Sequence, residues 1–446
     1  MAPALGGQLL RRHRDDRATA RAVRLAFEQL GATYVKFGQF VGATPDIVGP
    51  AVAEEFRSCL DGGPALPPAM VRSIVERELG RPLREAYASF DARPLAAASI
   101  AVVHCATLHD GRRVAVKVLR PGMDEVVATD LALLEAPVRF LASQGSDIMM
   151  NLLGYLIGLR EQVAEELDLR NEARSMVYFR ELFSELGLSR LVVPGVYEDL
   201  SSRRVLTMDL LEGVPIDDLA AIRELGVDDP AELVRTLFRA WVLTALRFRA
   251  FHADIHAGNL ILLPDGRLGM VDWGIIGRLD PDSHEMLRNM IVAALGNEEG
   301  WDAITAYIIR VQGAILRDGL GLTDEQIRNL VRSQMEPIMT QPVGEISMAA
   351  LFGGSEDAIV AATGQPVLKR SLVDQLRFLR TRRNINRAVL ADGVPDSSFQ
   401  RAGFLAGKQL VYLEHYWKMY LPEAPLLHDP EFFQELLAST DGSQSD

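Results

Sequence analysis

FHADIHAGNLILLPDGRLGMVDWG, residues 251–274, gathers more polar chemistry into an apolar setting than any other stretch of the chain. Asp254 is followed by Asn259, an apolar run, a Pro-Asp-Gly turn and a second apolar run that ends on Asp272. Strand, turn, strand is the reading these residues support. Such a hairpin brings Asp254, Asn259 and Asp272 towards one end of a ribbon, where three oxygen-bearing side chains suit magnesium with a polyphosphate attached. Any one of them alone reads equally as a turn former. The ordered set, an Asp, an Asn five residues on and an Asp just before a Gly, follows the order used by protein-kinase-like phosphotransferases. The rival reading, a zinc pair of His252 and His256, lacks the adjacent Glu base of such helices and is interrupted by Gly258-Asn259.

Working outward, residues 230–250 form a long apolar helix leading into this stretch, and LTMDLLEGVPI (206–216) loses strand alternation at Gly213 and Pro215. That segment reads as a linker between a small β-containing lobe and a helical lobe, with backbone around Met208 and Leu210 to receive an adenine ring. Upstream, RVAVKVLRPG (113–122) alternates so that Lys117 shares a face with Ala115 and Leu119, opposite Val116 and Val118. It is a candidate phosphate contact, or else an ordinary outward-facing strand lysine. The reading pairs it in a two-strand hairpin with residues 95–108. The run Ala96, Ala97, Ala98, Ser99 lies where a kinase would carry its glycine-rich loop. Alanine allows close approach but resists positive φ, so the loop should be stiffer.

Residues 124–183 read as helical, and their last helix places Glu165, Asp168 and Glu172 on one face with Glu166 well round from them. A solvated acidic face would account for these carboxylates. If Lys117 needs a carboxylate to orient it, this helix is the best supplier. Residues 16–42 read as one helix carrying YVKFGQF, with Lys36 and Gln39 on one face and Gly38 between them. Taken alone, Lys36 reads as a solvated lysine. After Gly274 the chain reads as helical, with a basic segment at 376–389 that suits a solvated face or contact with acidic lipid or a partner.

Composition narrows the class. The chain has 446 residues, 48% hydrophobic and 24% charged, with a net charge of −13, which is an ordinary globular composition, neither disordered nor fibrous, and argues against a general nucleic-acid binder. Cys59 and Cys105 are expected as reduced thiols in a cytosolic protein. The apolar run at 148–159 is short of the ~20 residues that cross a bilayer, and no signal peptide is expected.

Six motifs in order resemble the UbiB family of atypical protein-kinase-like proteins, which includes AarF-type and ADCK/Coq-type members. They are KFGQ (36–39) followed by Pro45-Asp46, AAASIA (96–101), VAVKVLRPG (114–122), ELDLRNEA (166–173), HADIHAGN (252–259) and DWG (272–274). The resemblance implies an α+β, bilobal protein-kinase-like fold. Residues 1–64 would be a helical extension, 65–208 an N-lobe with a helical insertion, 209–435 hinge and helical C-lobe, and 436–446 a disordered tail. It makes Lys117 the nucleotide-phosphate lysine, Glu172 its partner, Asp254 the catalytic-loop Asp, and Asn259 with Asp272 the metal pair, binding ATP or ADP with Mg2+. The helix with Lys36, Gly38 and Gln39, together with Glu166 and Asp168, would cover the place where a protein kinase holds a peptide. ATP hydrolysis in support of isoprenoid-lipid or quinone metabolism follows as the implied activity, with a protein kinase or a nucleotide-binding scaffold as rivals. The implied setting is cytoplasmic, with at most peripheral contact to the inner face of a membrane and lipid or a biosynthetic complex as partner. The chain departs from the family's common pattern at Val102, Ile255, Ala257, Trp273 and Thr44.

Overall fold

The computed structural model describes residues 16–43, 50–57, 65–145, 147–227, 229–313, 316–317, 321–346, 398–427 and 429–442, with isolated residues between 380 and 391. Cys59, Thr44, the Pro45-Asp46 pair and most of the basic segment 376–389 lie outside them. Cys105 is a free thiol.

The N-terminal extension contains α1 (Asp16–Leu30), α2 (Ala32–Ala43) and α3 (Pro50–Arg57). The single helix expected over 16–42 is broken because Gly31 sits at φ 111, a left-handed conformation that ends α1. Phe27 of α1 packs edge-on against Phe56 of α3 at 5.4 Å, and Arg24 joins Glu55 at 3.1 Å, so the three helices close on one another.

Next come α4 (Pro68–Leu79), the single turn α5 (Leu83–Ala86) and strands β1 (Ser89–Ala97), β2 (Ala101–Thr107) and β3 (Arg113–Leu119). The expected strand 95–108 is two strands, since the backbone turns at Ala98 with its N–H on the Ala101 carbonyl at 2.9 Å. With β5 (Val205–Asp209) they form an antiparallel sheet in the order β1-β2-β3-β5. Alternation along β3 divides two cores. Val114, Val116 and Val118 pack with Val71 and Val75 of α4, whereas Ala115 and Leu119 join the large core that contains Leu206 and Met208. Lys117 lies opposite Val103 on one side and Leu206 on the other, on that second face.

Between β3 and β5 stand α6 (Met123–Ser143), α7 (Asp147–Glu166) and α8 (Leu169–Glu185). The expected acidic helix is interrupted: α7 ends at Glu166, and Asp168 caps α8 by accepting from the Arg170 N–H. Glu165 and Glu166 therefore belong to one helix and Glu172 to the next. Along α8, Glu172, Met176, Phe179 and Phe183 are buried at helical spacing.

A second small sheet, β4-β9-β8-β6, is built from β4 (Leu191–Val192), β6 (Val214–Pro215), β8 (Leu260–Leu262) and β9 (Leu268–Met270). Of the apolar run 191–196, only Leu191 and Val192 form a strand of this sheet. Helices α9 (Leu219–Leu225) and α10 (Pro230–Phe248) carry the chain into the C-lobe. α10 starts with Pro at its first turn and Asp229 as cap, and is buried along most of its length. It ends at Arg249, which adopts φ 52 and delivers the chain into β7 (Ala250–His252). β7 pairs with β10 (Ile276–Arg278), a strand in the region expected to be helical throughout. Helices α11 (Pro281–Ala294), α12 (Glu298–Gly313), α13 (Asp324–Thr340), α14 (Ser398–Tyr420) and α15 (Pro430–Gly442) complete the described chain. α15 occupies most of the tail expected to be disordered. The architecture is the bilobal α+β kinase-like fold, a small sheet-containing lobe on a helical one.

Candidate active site

The β8-β9 hairpin and the β7-β10 pair bring Asp254, Asn259 and Asp272 to one end of the C-lobe, facing the sheet that carries Lys117. Lys117 Nζ lies 2.9 Å from both carboxylate oxygens of Glu172 and 3.0 Å from Asp272 Oδ2. Burial works against the ammonium, but the Asp272 and Glu172 carboxylates prevail and raise its pKa. Burial also pushes Glu172 up, with Lys117 acting against the rise. Asp272 is held well below the usual carboxylate range despite its partial burial, because Lys117 and the Gly274 N–H favour the anion. Its Oδ1 accepts from that N–H at 3.0 Å, and a Cβ on Gly274 would come within 3.2 Å of the same oxygen.

Trp273 explains why α8 stands where Glu172 can reach Lys117. The indole is fully buried, donates to the Met270 carbonyl at 2.7 Å, and packs on Phe179 and Phe183 of α8 at 4.8 and 6.0 Å. Its own backbone N–H donates to Glu172 Oε1 at 3.3 Å.

His252 ties the two Asp residues together. Its Nε2 lies 2.6 Å from the Asp272 carbonyl, which requires Nε2–H to donate, and its Nδ1 accepts from the Asp254 N–H at 3.1 Å. Both ring nitrogens are thereby engaged, which excludes the zinc pair with His256. Burial lowers the His252 pKa to about 4 from an ordinary 6.5, so the neutral ring is the native form. The unfolded chain binds the proton first as pH falls, so the folded state loses stability through the window from about 6.5 down to about 4. Urea unfolding should show the wild type losing roughly 2–3 kcal/mol between pH 7 and 4.5 through this group. His252→Gln should remove that part of the slope; equal slopes in both proteins would contradict the assignment.

Asn259 donates through Nδ2 to the Asp254 carbonyl at 3.0 Å, which leaves the amide oxygen as the end available to a cation. That oxygen and the ionised Asp272 carboxylate are hard donors of the kind Mg2+ takes together with phosphate oxygens and water. Among the described residues no group of three or more His, Cys, Asp or Glu could hold a metal by itself, so a cation here would share its coordination with a ligand.

Above the cleft, Arg120 donates from Nε and Nη2 to the Ala98 carbonyl at 3.1 and 2.9 Å. This clamp holds the alanine turn, and the Ser99 hydroxyl is buried with no hydrogen-bond partner among the described residues. Ala96 and Ala97 close β1. Met208 is buried on the Lys117 face, opposite Ala115, and Leu210 follows where the ladder ends, its N–H 3.5 Å from the Arg113 carbonyl.

From the extension, Lys36 Nζ of α2 reaches Glu166 at 2.8 Å, and Gln162 supports the same carboxylate at 2.9 Å. Glu166 lies beside Gly274, so α2 is docked at the edge of the charged cluster. Gly38 is buried in α2, whereas the side chain of Gln39 lies outside the described residues. Asp168 does not join this cluster: it caps α8 and pairs with Arg170 at 2.6 Å. Arg120 and Gln162 were not singled out as site residues by the sequence, and His252 was weighed only as half of the rival zinc pair. The signal for His252 was its place two residues before Asp254. Lys408 of α14, 2.6 Å from Asp254, is a further such residue.

The ABC1 atypical kinase-like domain matches residues 59–302. The chain is 34% identical over 412 residues to an uncharacterised aarF domain-containing protein kinase, chloroplastic, of Arabidopsis thaliana, covering 91% of this chain and 73% of that protein. It is 32% identical over 406 residues to an uncharacterised protein of Mycobacterium tuberculosis, covering 91% and 75%. The probable protein kinase UbiB of Marinobacter nauticus is 31% identical over 340 residues, covering 73% of this chain and 59% of that protein. With its lysine, paired carboxylates and DWG segment in one cleft, the chain belongs to the ABC1 atypical kinase-like family, the UbiB/AarF/ADCK group.

Proposed function

We propose that the protein is a Mg-dependent ATP-binding enzyme that hydrolyses ATP or passes its terminal phosphoryl group to a small hydroxyl compound. The observation that carries this reading is Lys117 bound to Glu172 and Asp272 at 2.9–3.0 Å in one cleft with Asp254 and Asn259. Lys117 binds the phosphates, the Arg120-clamped turn of Ala96, Ala97, Ala98 and Ser99 covers them, and the hinge at Met208 and Leu210 takes the base. Mg2+, held by Asn259 and Asp272, would supply neutralisation of the phosphate charge. Asp254 orients the attacking water or hydroxyl, and positioning with charge neutralisation does most of the catalytic work.

Two observations favour a small acceptor over a protein. The α2 helix is docked at the cluster's edge through Lys36–Glu166, where a polypeptide would need room. Helix α6 exposes Leu133 at 65% and Phe140 at 64%, seven residues apart on one side, a feature suited to peripheral contact with a lipid surface. No helix among the described residues is long and apolar enough to cross a membrane. An isoprenoid-lipid or quinone-related acceptor in a cytoplasmic, membrane-peripheral setting fits these features. The rival scaffold reading is disfavoured because every charged group that phosphoryl transfer needs is present.

Phosphate release from Mg-ATP, measured with and without prenyl-lipid vesicles or a peptide mixture, tests this. The wild type should turn over, vesicles should change the rate where peptides do not, and Asp254→Asn should lower it about 100-fold. Equal rates in wild type and Asp254→Asn would sink the reading.

A further inference from the structure

The backbone around Asp254 is held from a part of the chain far beyond the matched domain, residues 59–302. One face of α14 rests on it. Gln409, with no exposed surface, accepts from the Ile255 N–H at 2.9 Å and donates to the Ala253 carbonyl at 2.5 Å. Tyr416 donates its hydroxyl to the Ile255 carbonyl at 2.8 Å. These bonds fix the residues on both sides of Asp254. Lys408 then reaches Asp254 Oδ1 at 2.6 Å, with the two side chains 16% and 17% exposed. A buried ion pair costs desolvation on both partners and endures only where geometry is good. Here the flanking bonds from the same helix supply that geometry. Burial opposes the charge on Lys408, and Asp254 more than offsets it; the same pairing holds Asp254 below the usual carboxylate range.

The ion pair also distinguishes the two carboxylate oxygens. Oδ1 is taken by Lys408 at 2.6 Å, while Oδ2 has the His256 Nε2 at the longer distance of 3.7 Å. Oδ2 is therefore the oxygen left to address an incoming hydroxyl. A carboxylate free to rotate would present either oxygen, and misplacement of an orienting group is costly for transfer.

We infer that Lys408 is a positioning residue of the active site, holding Asp254 Oδ1 so that Oδ2 faces the attacking hydroxyl or water, and that α14 belongs to the catalytic apparatus. The inference rests on the reading of Asp254 as the group that orients the nucleophile. It predicts an effect on turnover that acts only through Asp254.

The test uses the full chain and compares wild type, Lys408→Met, Lys408→Arg, Asp254→Asn and the Asp254→Asn/Lys408→Met double variant. Steady-state ATP hydrolysis is read beside Mg-ADP binding by calorimetry. Lys408→Met should lower kcat about 100-fold, with KM for ATP and Kd for Mg-ADP changed by less than about threefold. Lys408→Arg, which keeps the cation, should recover kcat to within about tenfold of wild type. The double variant should be no slower than Asp254→Asn alone, because the two residues work as a unit. Should Lys408→Met fail to fold, Lys408→Gln takes its place with the same expectations. Unchanged kcat in the Lys408 variants, or an additive loss in the double variant, would overturn the inference while leaving the proposed function standing. A wild type that binds Mg-ADP but releases no phosphate would overturn both.

Discussion

Lys117→Met is expected to lose about 3 kcal/mol of stability and to abolish measurable nucleotide binding. The stability loss arises at Glu172, which is 3% exposed and would be left with a buried carboxylate and no cation. Asp272 contributes less, since its side chain is 39% exposed and water screens it in part. The backbone N–H of Trp273 remains on Glu172 but cannot replace a full charge. Urea unfolding together with a nucleotide titration would measure both effects. A variant as stable as wild type would show that the Lys117–Glu172 pair contributes nothing net to the fold. Unaltered nucleotide affinity would remove Lys117 from the site.

Asp272→Asn separates binding from stability. The amide still accepts from the Gly274 N–H through an oxygen, and Lys117 still has Glu172 at 2.9 Å, so stability should change by only about 1 kcal/mol. Metal affinity is a different matter, because the substitution removes the only carboxylate proposed to hold the cation. Mg-ATP affinity should fall about 100-fold, whereas affinity for ATP measured in EDTA should be altered little. Calorimetric titrations under both conditions would show the split. Equal losses with and without Mg2+ would point to a distorted cleft, and no loss under either condition would exclude Asp272 as a metal ligand.

Much of this site was legible because its parts are local. Alternation along RVAVKVL placed Lys117 on the face away from Val116 and Val118, and that face lines the cleft because the valines are needed against α4. Asn259 and Asp272 flank the β8-β9 hairpin, so their convergence follows from hairpin geometry, whereas Asp254 lies outside it, just after β7, and is joined to it by the Asn259 amide. What failed was the continuity of elements. Residues 160–175 are polar enough to extend one helix, but Asp168 is a better cap than an interior residue and divides it. That single break moves Glu166 to α7, where it meets Lys36, and leaves Glu172 for Lys117. The strand expected over 95–108 is broken at the alanine run itself, where Arg120 holds the Ala98 carbonyl in a turn.

Lys408 was out of reach for another reason. It lies 154 residues from Asp254 in a helix of ordinary composition, SFQRAGFLAGKQLVYLEHYWKMY. Only the adjacent Lys408-Gln409 among apolar neighbours hinted that the polar pair looks inward. Long-range ion pairs of this kind leave no spacing to read, whereas the same pairs govern which oxygen of a carboxylate is free to act.

Direct titration of the wild-type chain with ATP, in Mg2+ and again in EDTA, bears most closely on the account. Saturable binding of one nucleotide per chain, stronger in Mg2+ by about 100-fold, is the predicted result. Absence of binding, or binding indifferent to Mg2+, would contradict the assignment of this cleft as a Mg-nucleotide site.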